Sequence, residues 1–213
     1  MEVRIFNYLA TQISPHNLGR GGLLADFREN MVHNVMHGDF VEPHSNSRKI
    51  RILFSQLSSR DADRRLDFDR QSTYLRENLG DEFSIQTAKL WEMDLGQQVE
   101  LVQTTDIFVS TCGGGSLTAT FLSKGASFFV YYNTTGSYDF LNAEKARANG
   151  LKGRELMKVS LNHEPARLDW DLLNNAGYLS VHWLPVDTMN EIGDLDLLLR
   201  LVEHEVVAKR LIR

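Results

Sequence analysis

From residue 49 onward, short apolar runs alternate with longer stretches of helical periodicity. Ile50-Arg51-Ile52-Leu53-Phe54, Phe83–Thr87, Asp106-Ile107-Phe108-Val109 and Phe128-Phe129-Val130-Tyr131-Tyr132 are rich in β-branched and aromatic residues. Runs of this length and content predict buried strands. Between them, Phe68–Leu79 reads as a helix ended by Gly80, and Leu95–Thr104 as a second with Val99 and Val102 on one face. A third, shorter helix is expected from Leu117 to Leu122, after which Lys124-Gly125 returns the chain to the next strand. Strands alternating with helices of these lengths imply βαβ units with right-handed crossovers. The fold class predicted is α/β, with a parallel Rossmann-like sheet and flanking helices.

Beyond Tyr132 the pattern is looser. Phe140–Asn149 and Leu168–Asn175 read as helices, the second ended by Gly177, while Arg154–Leu161 fits no single element. Tyr178–Val186 reads as a strand, and Leu195–Ile212 as an amphipathic helix packing through Leu195, Leu198, Leu199, Val202, Val206 and Leu211. Residues 1–47 differ from the rest. There Leu23–Met36 has helical spacing, and the polar stretch Pro43–Arg48 divides an N-terminal helical segment, 1–47, from an α/β domain, 48–213. His33, His37, Asp39, Glu42 and His44 gather loosely in that segment, as a solvated face or as metal ligands.

Candidate chemistry concentrates where the third strand ends. Cys112-Gly113-Gly114-Gly115-Ser116 joins that strand to the following helix. Glycines at the carboxyl end of a strand let the backbone approach a ligand closely, and the first amides of a helix favour an anion. The pattern is neither of the commonest phosphate motifs. Thr118 stands where a G-x-G-x-x-G fingerprint needs glycine, and the chain contains no Gly-Lys-Ser/Thr. Without a ligand, the same residues make a tight strand-to-helix turn.

Composition narrows the classes. A net charge of −5 leaves no basic excess to neutralise nucleic-acid phosphates. No apolar run reaches the length of a membrane span, and the N-terminal residues lack the pattern of a signal peptide. Cys112, the sole cysteine, rules out an internal disulfide and a multi-cysteine zinc site. Asn133-Thr134-Thr135 is a glycosylation acceptor pattern.

Five features come in order along residues 48–132: the strand leading to Arg60 from Ile50, Gln98 at a helix start, Asp106 eight residues later, the turn Cys112-Gly113-Gly114-Gly115, and the step Phe121-Leu122 to Gly125-Ala126. As an ordered set they resemble the C-terminal half of a GT-B glycosyltransferase of the family 61 type. The chain departs from the family in having Cys112 where its turn has histidine, and Ser116-Leu117-Thr118 where it has Leu-Thr-Asn.

The resemblance implies a nucleotide-sugar-binding domain. Its donor-binding residues would be Arg60, Gln98, Cys112, Gly113, Gly114, Gly115 and Ser116, with no metal or other cofactor required. The implied reaction is an inverting transfer of a sugar from the nucleotide sugar to a glycan or glycoprotein acceptor, in the Golgi or a secretory lumen if the source is eukaryotic. Residues 1–47 would then be a remnant of, or linker from, an N-terminal domain. Arg64 and Arg65 are better read as partners of Asp61, Asp63 or Asp67. Two further readings stand beside this one: a non-catalytic accessory domain that binds a nucleotide or glycan, and another nucleotide-dependent transferase on the same architecture.

Overall fold

The structure, a computed structural model, describes residues 21–36, 49–57, 66–132, 148–150, 173, 176–186, 189 and 191–212. Helix α1 (Gly21–Val35) is followed by β1 (Ile50–Ser55), α2 (Asp69–Asn78), β2 (Phe83–Ala88), α3 (Leu95–Gln103) and β3 (Ile107–Thr111). Then come α4 (Gly114–Thr118), continued by a 3-10 turn at Ala119–Phe121, β4 (Ser127–Tyr132), β5 (Ser180–Pro185) and α5 (Ile192–Ile212). The strands form one five-stranded sheet in the order β2-β1-β3-β4-β5, and every neighbouring pair is parallel.

The four strands expected between residues 49 and 132 are all present, each one or two residues longer than its apolar run. Their continuous apolar character follows from burial on both faces, as expected for a parallel sheet. One face carries Ile52, Phe54, Ile107, Val109, Phe129 and Tyr131, covered by α2 through Leu75 and by α5 through Leu198 and Val202. The opposite face carries Leu53, Phe108, Phe128 and Val130, covered by Val102 of α3 and by Ala119 and Leu122 after α4. Phe108 and Phe128 stack there with ring centroids 5.3 Å apart.

Local hydrogen bonds set the registers and ends. Asp106 fixes β3 against β1 at the amino edge of the sheet. Its Oδ2 accepts from the Arg51 amide at 2.8 Å, and its own amide donates to the Arg51 carbonyl at 2.9 Å. Helix α3 starts in a capping box. Asp94 Oδ1 accepts from the Gln97 amide at 2.9 Å, and Gln97 Oε1 accepts from the Asp94 amide at 3.0 Å.

Two expectations are corrected in detail. The helix after the glycine turn begins at Gly114 rather than Leu117, so the glycines form its first turn. Helix α1 exists, but of its apolar residues only Val32 is buried, and Leu23 and Phe27 are 65% and 52% exposed. A polar clasp helps to dock it. Arg28 Nε donates to the Leu122 carbonyl at 2.6 Å, and the guanidinium lies over the Tyr178 ring. The helices expected at Phe140–Asn149 and Leu168–Asn175 fall almost wholly outside the described residues, as do the segments Pro43–Arg48 and Asn133-Thr134-Thr135.

Candidate functional site

In an open parallel sheet the ligand crevice lies beyond the carboxyl ends of two adjacent strands whose following helices go to opposite faces. Here β1 and β3 meet that condition. Helix α2, after β1, packs on one face, and the helical turns after β3 pack on the other. The glycine turn therefore stands at the topological switch point of the sheet.

The β3 bank of this crevice is built by Cys112–Ser116. Gly113 has φ 128° and ψ −145°, a conformation closed to residues with a Cβ. It turns the chain from β3 directly into α4. Ser116 braces the turn: its hydroxyl donates to the Gly113 carbonyl at 2.6 Å and accepts from the Gly113 amide at 3.2 Å. The Ser116 amide also donates to the Gly113 carbonyl, and the Cys112 amide donates to the Tyr131 carbonyl. Three of the turn's amides are thus held within the protein. Gly114 and Gly115 occupy the first two helical positions, where helix geometry supplies no intrahelical acceptor for the amide. Cys112 packs against the apolar cluster on the α3 side of the sheet.

Gln98, in the first turn of α3, reaches the same structure. Its Oε1 accepts from the Thr118 hydroxyl of α4 at 3.1 Å, and its Nε2 donates to the Met93 carbonyl at 3.1 Å. Of the expected donor-binding residues, Gln98, Cys112, Gly113, Gly114, Gly115 and Ser116 are therefore brought to the carboxyl edge. Arg60 lies outside the described residues, with Arg64 and Arg65.

The β1 bank holds groups that sequence reasoning missed. Gln56 follows β1 and is 8% exposed. Its Nε2 donates to Asp69 Oδ1 at 2.6 Å and to Asp67 Oδ1 at 3.3 Å, while its Oε1 accepts from the Phe68 amide at 2.8 Å. Gln56, Leu57, Asp67, Asp69, Thr87, Ala88 and Lys89 line a cleft of about 280 Å³ between the ends of β1 and β2. The sequence signal is Asp67-Phe68-Asp69 at a helix start, of which the sequence reading takes only Asp67, as an arginine partner.

Further along the edge, Tyr131 at the end of β4 is buried and donates to Asp194 Oδ2, 3.3 Å away in the first turn of α5. Burial, then the neighbouring Asp194 charge, hold the phenol far above its ordinary pKa, so it remains a donor. Burial raises the Asp194 carboxyl to about 6, against a lowering by the Tyr131 hydrogen bond and with a further rise from Glu191.

Among the described residues, no helix is long and apolar enough to cross a membrane, and no three His, Cys, Asp or Glu side chains are placed to hold a metal. No protein-family model matches this chain, and no curated protein matches it.

Proposed function

We propose that the crevice between β1 and β3 binds the diphosphate of a nucleotide sugar, and that the chain is the donor-binding half of a glycosyltransferase. The observation that carries the proposal is the position of the glycine turn at the switch point of a parallel sheet, where backbone and ligand approach each other most closely. The ordered resemblance to family 61 supports it, as does the tie between Gln98 and the helix that the turn opens. On this reading the amides of Gly114 and Gly115 face the phosphates, and Arg60 supplies the counter-charge. Preorganised donors of this kind stabilise a departing nucleoside diphosphate electrostatically. The acceptor is a glycan or glycoprotein hydroxyl.

One observation favours the second reading, a non-catalytic nucleotide- or glycan-binding domain. Cys112 stands at the family's histidine and packs into the apolar cluster. Turnover of a nucleotide sugar, absent from a non-catalytic domain, separates the two, and calorimetric titration with uridine and guanosine diphosphates tests the donor site itself. Binding by the wild type, weakened about ten- to a hundredfold in Arg60→Ala (roughly 1.5–3 kcal/mol), is the expected outcome. An absence of binding by either nucleotide at millimolar concentration overturns the donor-binding reading for this chain.

A further inference from the structure

Helix α5 is the second cover of the Tyr131 face, and its first turn is seated on an unusual contact. Asp194, a residue 6% exposed, meets the Tyr131 hydroxyl through its carboxyl and has no cationic partner among the described residues. Among the described residues, the neighbouring elements contribute little that could compensate a charge there. From β4 comes the neutral phenol of Tyr131. From the start of the helix comes Glu191, a like charge. From α2 comes Tyr74, whose hydroxyl is already given to Asp196 of α5. The helix N-terminus itself favours a carboxylate, yet burial outweighs it.

We propose that the Tyr131–Asp194 contact is a proton-controlled latch that seats the start of α5 on the carboxyl edge of the sheet. When Asp194 is protonated, the buried carboxyl is neutral, can still accept from Tyr131, and the helix start is held. When it is ionised, a buried charge with no cationic partner among the described residues sits at the contact, and the first turn of α5 lifts more readily into water. The sign follows from linkage. The seated state binds its proton up to about pH 6, whereas a carboxyl in water releases it near its ordinary value of about 3.9. Seating is therefore strongest in acid and is lost as pH rises through about 6. Tyr131 also gives its carbonyl to the Cys112 amide. The latch thus stands one residue from the glycine turn, and its opening near neutral pH bares the edge beside Thr111.

Hydrogen-exchange protection factors, which divide out the intrinsic pH dependence of exchange, test the latch at about pH 5 and about pH 7.5. The amides of Leu195 to Leu198 should lose about tenfold in protection at the higher pH, while those of β1 and β3 keep theirs. In Asp194→Asn the difference between the two conditions should vanish. In Tyr131→Phe the amides of α5 should be less protected at both. Equal wild-type protection at the two pH values overturns the proposal, as does a pH difference that persists in Asp194→Asn. A loss shared equally by β1 and β3 also overturns it, because it reports global unfolding.

Discussion

Gly113 concentrates the backbone demands of the switch point in one residue. Nothing lies within 4 Å of where its Cβ would be, so crowding does not require glycine there; the φ of 128° does. Gly113→Ala should therefore destabilise the protein by about 1–3 kcal/mol, read as a lowered denaturant midpoint with an unchanged slope. A midpoint equal to wild type would mean that the turn relaxes without cost. The sequence identified the glycine run but not this division of labour, because three consecutive glycines carry no sign of which one has positive φ. Gln56 was hidden for a different reason. Its partners Asp67 and Asp69 are more than ten residues away, and a glutamine after a strand looks like any polar loop residue. Asp106 enters the sequence reading only as one feature of the ordered resemblance; in the structure its carboxylate pins the Arg51 amide at the amino edge of the sheet.

Strands were the most legible elements, since burial on both faces writes itself into unbroken apolar runs such as Phe128–Tyr132. Helix starts were less legible. At α3 the signal was local and present: Asp94 and Gln97 satisfy each other's backbone partners three residues apart. Asp94→Ala should cost about 1 kcal/mol, seen as a drop of a few degrees in the thermal midpoint, and Asp94→Ser should recover most of it. If Ala and Ser behave alike, the cap adds nothing to stability. At α4 no such signal existed, because the helix opens on glycines with low helical propensity and is braced by the Ser116 hydroxyl. The exposed Leu23 and Phe27 of α1 show a third case. Helical spacing predicted that helix, but the clasp of Arg28 on Leu122 and Tyr178 joins residues far apart in sequence.

For the molecule as a whole, alternation of strands and helices was enough to predict a parallel sheet, but not its order. Nothing in the apolar runs states that β3 pairs with β1 rather than with β2. That order makes the two cores share every central strand: Phe108 points into one and Phe129 into the other, both fully buried. Truncating either to alanine should cost about 3–5 kcal/mol. Because the sheet is common to both cores, each variant should still unfold in one cooperative transition, with fluorescence and circular dichroism coinciding. Separated transitions in either variant would show that the faces melt independently. The same order bears on how the chain is made. Among the described strands, the first two to be synthesised are neighbours, and β3, β4 and β5 then join the open side in the sequence of their synthesis. None of these five strands has to be threaded between two already paired. Helix α5, however, follows all five of these strands in the chain. Until it is made, the nascent protein carries Phe129, Val109 and their neighbours without that lid, a sticky surface on which chaperone binding competes with self-association.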